Sequence, residues 1–206
     1  MKMNKKTFQI IKATILLFVL IFIDQFTKDL AINHLKGQPS IPIIKDVFEL
    51  SFVGNKGIAW GMFSGKINFV VIFTSIFTII LTSLIIKTQL RVAFYKNKLD
   101  AINSDENENK NENEEEIANI KKRIKNLTFA EYTFIFITAG AIGNLIDRLV
   151  LGYVVDFFYF KLIDFPVFNV ADIYVTLSMI VFIFLFMFKI EENDFYALFK
   201  STKKWK

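Results

Sequence analysis

Four long apolar stretches constrain this chain more than any other feature of its sequence. They cover about residues 8–32, 67–86, 127–148 and 168–189, and the second of them contains no charged residue. An α-helix needs about 20 apolar residues to cross the core of a bilayer. The sequence therefore predicts an all-α membrane protein, with four transmembrane helices forming a single domain over residues 1–206.

The composition argues against several kinds of site. The chain has no cysteine and one histidine, His34, so we expect no disulfide, no thiol nucleophile, no metal site and no other cofactor. A net charge of +5 would suggest nucleic acid in a soluble chain. Here the placement of the charges around the apolar stretches matters more than their total, and we predict no nucleic-acid partner.

The distribution of basic residues predicts the orientation. Eighteen of the 25 Lys and Arg residues lie in the N-terminal stretch through Lys12, in residues 87–125 or from Lys189 onward. Basic residues favour the cytoplasmic side of a membrane. Both termini and the middle loop are therefore predicted to be cytoplasmic, while residues 33–66 and 148–168 face outward.

The two longer connections differ in character. The middle one, at about 96–125, contains an acidic, Asn-rich run over 103–116 that is too polar to bury a core, so we expect a solvated loop or a fraying helix there. In the first outer connection, Phe48, Leu50 and Phe52 recur with the period of a half-buried strand. This pattern predicts a small extracytoplasmic β-sheet at about 41–63.

Ionisable residues at the ends of spanning helices are costly and need a partner or a task. Many of those in this chain gather at the outer side, together with two asparagines. The group consists of Asp24, Asn144, Asp147, Arg148, Asp156, Asn169 and Asp172. Helices 3 and 4 are joined by a short outer loop, so Asp156 and Asp172 can meet. Two close carboxylates tend to share one proton, which suits water-mediated cleavage of a peptide bond.

Five segments in this order resemble the motifs of the lipoprotein signal peptidase family (signal peptidase II). They are DQFTK at 24–28, NKGIAWG at 55–61, GAIGNLIDR at 140–148, GYVVDF at 152–157 and FNVAD at 168–172. The resemblance covers the chain from the first to the fourth helix, apart from the tails and the acidic run.

The resemblance implies an aspartic endopeptidase of the bacterial inner membrane, with its active site near the outer face. Members of this family remove the signal peptide from prolipoproteins, before a cysteine that already carries a diacylglyceryl group. Asp156 and Asp172 match the catalytic aspartates. The matching residues expected to shape the site are Asp24, Lys28, Asn55, Gly57, Asn144, Asp147, Arg148 and Asn169. The implied partners are prolipoprotein, membrane lipid and the cyclic peptide inhibitor globomycin, with the enzyme acting as a monomer.

Other interpretations of the same residues stay open at this point. A small proton-coupled transporter also carries intramembrane acids, although those usually lie near the bilayer midplane. An assembly factor without chemistry is a third class. Asp24 and Lys28 could simply neutralise each other, Asn55 could be a turn residue, and Asp172 could cap helix 4.

Overall fold

The computed structural model describes residues 5–57, 66–104, 110–191 and 194. Within these residues, four helices are long and apolar enough to cross a membrane, which confirms the predicted fold class. They are α1 (Lys5–Leu35), α2 (Ile67–Ser104), α3 (Lys110–Val150) and α4 (Val170–Phe188).

Helix α3 lies at the centre of the bundle and contacts the other three helices. Its buried face, which includes Phe134, Ile135 and Ile137, packs against Leu20 of α1 and Leu81 of α2. Many apolar side chains on the outer faces of α1, α2 and α4 are exposed. Helices that are apolar all round suit a lipid environment, where such exposure carries no penalty.

Two glycines allow α3 to approach its neighbours closely, as small residues at helix interfaces in membranes commonly do. A Cβ atom at Gly140 would lie 2.5 Å from the carbonyl oxygen of Ala171 at the start of α4. A Cβ atom at Gly143 would overlap the carboxylate of Asp24 on α1. These two contacts bring the polar ends of α1, α3 and α4 together.

A three-stranded antiparallel sheet covers this end of the bundle, in the order β1 (Ile41–Ile44), β2 (Phe48–Asn55), β3 (Val154–Tyr159). The predicted strand at Phe48 is confirmed. The third strand was not predicted, because residues 148–168 were interpreted as an outer loop. The run VVDFFY was an available signal, since β-branched and aromatic residues are typical of a strand. Residues 58–63 of the predicted sheet region lie outside the described residues.

Most of residues 96–125, where the sequence left a solvated loop or a fraying helix open, is helical, so the loop bounds of about 96–125 are too wide. Helix α2 continues to Ser104 and α3 begins at Lys110, while residues 105–109 lie outside the described residues. The physical reason is an apolar stripe beyond the membrane span: Val92 and Tyr95 of α2 pack against Ile120 and Leu127 of α3. This contact supplies the burial that the acidic run lacks.

Candidate active site

Asp172 is oriented by the first turn of α4. Asn169 is the N-cap of this helix, and its Oδ1 accepts a hydrogen bond from the backbone N–H of Asp172 at 3.0 Å. In return, Oδ2 of Asp172 accepts from the backbone N–H of Asn169 at 3.1 Å. This reciprocal capping box leaves Oδ1 of Asp172 to accept from Nδ2 of Asn144 at 3.0 Å. Each oxygen of the carboxylate thus has its own donor.

Asp156 is presented by strand β3, opposite Val53 of β2. Its Oδ1 accepts a hydrogen bond from Nδ2 of Asn169 at 2.6 Å, and its Oδ2 accepts from Nδ2 of Asn55 at 3.0 Å. Asn55 is itself fixed, because its Oδ1 accepts from the backbone N–H of Gly57 at 2.9 Å. The Asn169 side chain therefore links the two aspartates that the sequence singled out.

The surroundings of Asp156 disfavour its charged form. Burial, and to a smaller extent the nearby charge of Asp172, raises the pKa of this carboxyl to about 7. The hydrogen bonds from Asn55 and Asn169 act in the opposite direction, because they stabilise the carboxylate. Asp156 can therefore hold a proton near neutral pH, where an ordinary aspartate cannot.

Both aspartates line one cavity of about 360 Å³ between α2, α3, α4 and β3. Its polar lining also includes Asn55, Asn144 and Arg148. Its apolar lining includes Val70, Phe73 and Phe77 of α2 and Val175 of α4. The cavity therefore combines a pair of carboxylates with a surface suited to an apolar chain.

Arg148 joins the end of α3 to the turn after β2. Its Nη1 donates to the carbonyl oxygen of Asn144 at 3.1 Å, and its Nη2 donates to the carbonyl oxygen of Gly57 at 2.9 Å. The guanidinium thus holds the turn that contains Asn55 and Gly57 beside the cavity. Gly57 takes part through its main chain, with its N–H and its carbonyl both engaged.

A buried charge network lies directly behind the aspartates. Nζ of Lys28 is 2.9 Å from Oδ2 of Asp24 and 3.2 Å from Oδ2 of Asp147, and it donates to Oδ1 of Asn144 at 2.8 Å. Asp24, Lys28 and Asp147 are at most 3% exposed. Because Asn144 contacts both Lys28 and Asp172, the network sets the position of the donor to Asp172.

The two acids of this network also hold backbone from other elements. Oδ1 of Asp24 accepts the N–H of Ala171 in the first turn of α4 at 2.9 Å, and Oδ2 of Asp147 accepts the N–H of Val155 on β3 at 3.0 Å. The residues on either side of the cavity, Asp172 and Asp156, directly follow these anchored backbone groups. Asp24 and Asp147 thus position the strand and the helix that carry the aspartate pair.

The structure brings together every residue that the sequence predicted for the site. Six of them line or border the cavity, three form the charge network, and Gly57 contributes backbone. Residues 58–61 of the second motif lie outside the described residues. Sequence reasoning missed Gln25, whose Nε2 donates to Asp147 at 3.0 Å and to the carbonyl oxygen of Gly143 at 3.1 Å. Its place inside the DQFTK segment was the available signal.

Known proteins resemble this chain over most of its length. The family described as Signal peptidase (SPase) II matches residues 16–103 and 117–188. The lipoprotein signal peptidase of Caldanaerobacter subterraneus subsp. tengcongensis is 36% identical over 178 residues, covering 86% of this chain and 97% of the relative. That of Clostridium acetobutylicum is 32% identical over 177 residues, covering 84% and 92%.

A solved structure of a bacterial membrane enzyme shares the architecture. It superposes with a TM-score of 0.59 and 26% sequence identity, covering 95% of this chain and 94% of the other. The match therefore spans nearly the whole of both chains and is not confined to one motif.

Proposed function

This chain belongs to the signal peptidase II family, a family of multi-pass bacterial membrane peptidases, and on that premise we propose that it is an aspartic endopeptidase. Its substrate is a diacylglyceryl-modified prolipoprotein, and it cuts immediately before the lipidated cysteine. One observation carries the aspartic part of the proposal: Asp156 and Asp172 line the same cavity and are linked by the side chain and backbone of Asn169.

The two aspartates take different roles. Asp156, whose pKa is raised to about 7, holds the shared proton. Both carboxyl groups accept two hydrogen bonds, and we assign Asp172 as the ionised partner because it lies in the first turn of α4, where the helix dipole favours negative charge. The two carboxyl groups line one cavity, and neighbouring carboxylates cannot both ionise cheaply.

Cleavage then follows from these protonation states. Asp172 accepts a proton from a water molecule as the water oxygen attacks the scissile carbonyl carbon. The proton on Asp156 hydrogen-bonds the oxyanion that develops on the carbonyl oxygen. As the C–N bond breaks, a carboxyl group delivers a proton to the leaving amine, and the pair returns to its singly protonated state.

The apolar lining of the cavity suits this substrate. A signal peptide carries a long apolar segment, and the modified cysteine carries acyl chains. Phe73 and Phe77 of α2 can pack against such groups while the scissile bond faces the aspartates. A globomycin-type cyclic peptide would occupy the same cavity as an inhibitor, and a single copy of the chain provides all the residues named above.

The test is cleavage of a synthetic diacylglyceryl prolipoprotein peptide by purified protein. We expect Asp156→Asn and Asp172→Asn each to lower kcat/KM by roughly 10⁴-fold or more, with the double variant little worse, because members of one catalytic unit are not additive. Asp164→Asn is the matched control, since Asp164 is exposed in the same loop. A chelator should leave the rate unchanged.

Two results would overturn the proposal. One is substantial cleavage by either single variant while Asp164→Asn is normal. The other is loss of activity in chelator that a divalent metal restores. A transporter or an assembly factor would yield no shortened peptide in this assay.

A further inference from the structure

A second cavity, of about 440 Å³, lies at the end of the bundle remote from the aspartates. It is enclosed by the start of α1, by Lys96 of α2 and by a segment of α3 around Glu131. Its lining residues are Phe8, Gln9, Lys12, Ala13, Lys96, Thr128, Glu131, Tyr132 and Ile135. None of these residues takes part in the proposed peptidase site.

The cavity is at the depth where the hydrocarbon core ends. Glu131 accepts a hydrogen bond from Nε2 of Gln89 at 2.9 Å, and Gln89 lies three residues beyond the uncharged stretch 67–86 of α2. On α3, Glu131 precedes Asp147 by sixteen residues, a rise of about 24 Å along a helix. The cavity therefore opens at the level of lipid headgroups on the face of the membrane opposite the peptidase site.

Its charges are arranged for an anionic ligand. Lys12 is exposed, Lys96 is half-buried, and neither forms an ion pair with another described residue. Nζ of Lys12 stands 5.9 Å from the centroid of the Tyr132 ring. With Glu131 counted as a carboxylate and both lysines as ammonium groups, the formal charges of the lining sum to +1.

We propose that this cavity binds a phospholipid with one net negative charge, such as phosphatidylglycerol. The phosphate lies between the ammonium groups of Lys12 and Lys96, and a headgroup hydroxyl donates to the carboxylate of Glu131. One acyl chain follows the apolar side of the cavity along Phe8 and Ala13. Basic pockets between spanning helices recognise anionic headgroups in this way.

The charge of the cavity favours a monoanionic lipid over a zwitterionic one. A monoanionic lipid neutralises the net +1 of the cavity, whereas a zwitterionic phosphatidylcholine leaves it uncompensated and has no hydroxyl to donate to Glu131. If Lys12 and Lys96 served only to balance Glu131, the cavity would show no preference between the two lipids.

Native mass spectrometry of the full-length protein in a neutral detergent tests the proposal. Titration with phosphatidylglycerol should give at least tenfold tighter binding than phosphatidylcholine. The double variant Lys12→Gln/Lys96→Gln should lose that preference, while Lys122→Gln, which removes an exposed lysine outside the cavity on α3, should retain it. Peptidase activity in detergent confirms that each variant is folded.

Three outcomes would overturn the proposal. Equal binding of the two lipids by the wild-type protein removes the charge argument. A preference that survives in the double lysine variant places the lipid elsewhere. Displacement of the lipid by glycerol phosphate at equal concentration identifies a site for soluble phosphate esters instead of a membrane lipid.

Discussion

At the scale of single residues, the proposed chemistry depends on three asparagines more than on any extra charge. Asn55, Asn144 and Asn169 donate amide hydrogens to the aspartate pair, while their own oxygens accept from groups that fix their orientation. An amide can donate and accept at once, so it orients a carboxylate without neutralising it. This explains how two acids can be held in place and still exchange a proton.

The pH dependence of cleavage follows from Asp156. Its pKa is raised to about 7, so a rise in pH through this value removes the proton that the singly protonated pair requires. We expect kcat/KM to fall above about pH 7, approaching tenfold per pH unit. Asn55→Ala removes a hydrogen bond that lowers the pKa of Asp156, so the alkaline limb should move to higher pH.

The pH–rate profiles of the wild-type protein, Asn55→Ala and the control Asp164→Asn check this prediction. A limb that moves to lower pH in Asn55→Ala would contradict the assigned direction. So would a rate that is flat between pH 6 and pH 9 in the wild-type protein.

Removal of Lys28 tests the charge network. Lys28→Met leaves the carboxylates of Asp24 and Asp147 buried without their cation, and breaking a buried pair in this way typically costs about 3–5 kcal/mol. Denaturant unfolding in detergent should show a loss of this order. Lys36→Met, on an exposed lysine just past α1, should change stability by less than ~1 kcal/mol. Equal stabilities of the two variants would refute the structural role of Lys28.

At the scale of elements, α3 is the helix on which the site is assembled. It supplies Asn144, Asp147 and Arg148 from one face, and its glycines set its distance from α1 and α4. At its other end, Arg123 of α3 pairs with Glu191, and Tyr95 of α2 donates to Asp194 at 2.6 Å. The helical hairpin of α2 and α3 is thus tied to the segment that follows α4.

Gly143→Ala tests the close approach of α3 and α1. The added Cβ would overlap the carboxylate of Asp24, which must then move away from Lys28 and from the N–H of Ala171. Overpacking of this kind typically costs about 1–3 kcal/mol, and we expect a parallel fall in kcat because α4 carries Asp172. Leu149→Ala is a control on an exposed face of the same helix.

Thermal unfolding and cleavage rates, measured on the same preparations, check this prediction. A Gly143→Ala protein with the stability and kcat of the wild type would show that the two helices do not need their close contact.

At the scale of the whole molecule, the orientation in the membrane decides which compartment supplies the substrate. The predicted orientation, with both termini cytoplasmic, would turn the sheet and the aspartates outward, toward the side on which the proposed prolipoprotein substrate would present its cleavage site. The chain has no cysteine, so single cysteines introduced at Ser40 and Ser104 report the two sides without background.

We expect Ser40→Cys to react with a membrane-impermeant maleimide in intact spheroplasts, and Ser104→Cys to react only after the membrane is permeabilised. Both positions are exposed, so burial does not limit the reaction. The reverse pattern would place the proposed active site in the cytoplasm and overturn the predicted orientation.

The sequence by itself determined the four spans, because the length and polarity of an apolar stretch are local properties that need no partner. It also predicted strand β2 and the membership of the polar cluster, since the five segments carry those residues in order. The extension of α2 and α3 past the membrane was not predicted, because it depends on contacts between Val92 or Tyr95 and residues about 25 to 35 positions away.

Only the tertiary structure decided which residues of the site contact one another and how deeply they are buried. Strand β3 pairs with β2 across about a hundred residues, and this pairing brings Asn55 to Asp156. The raised pKa of Asp156 comes from burial, which no local pattern of residues encodes. The place of Lys28 between two carboxylates likewise depends on the approach of α1 to α3 at Gly143. Sequence determines which groups are present, whereas distances and desolvation, which set their chemistry, arise only when the elements pack.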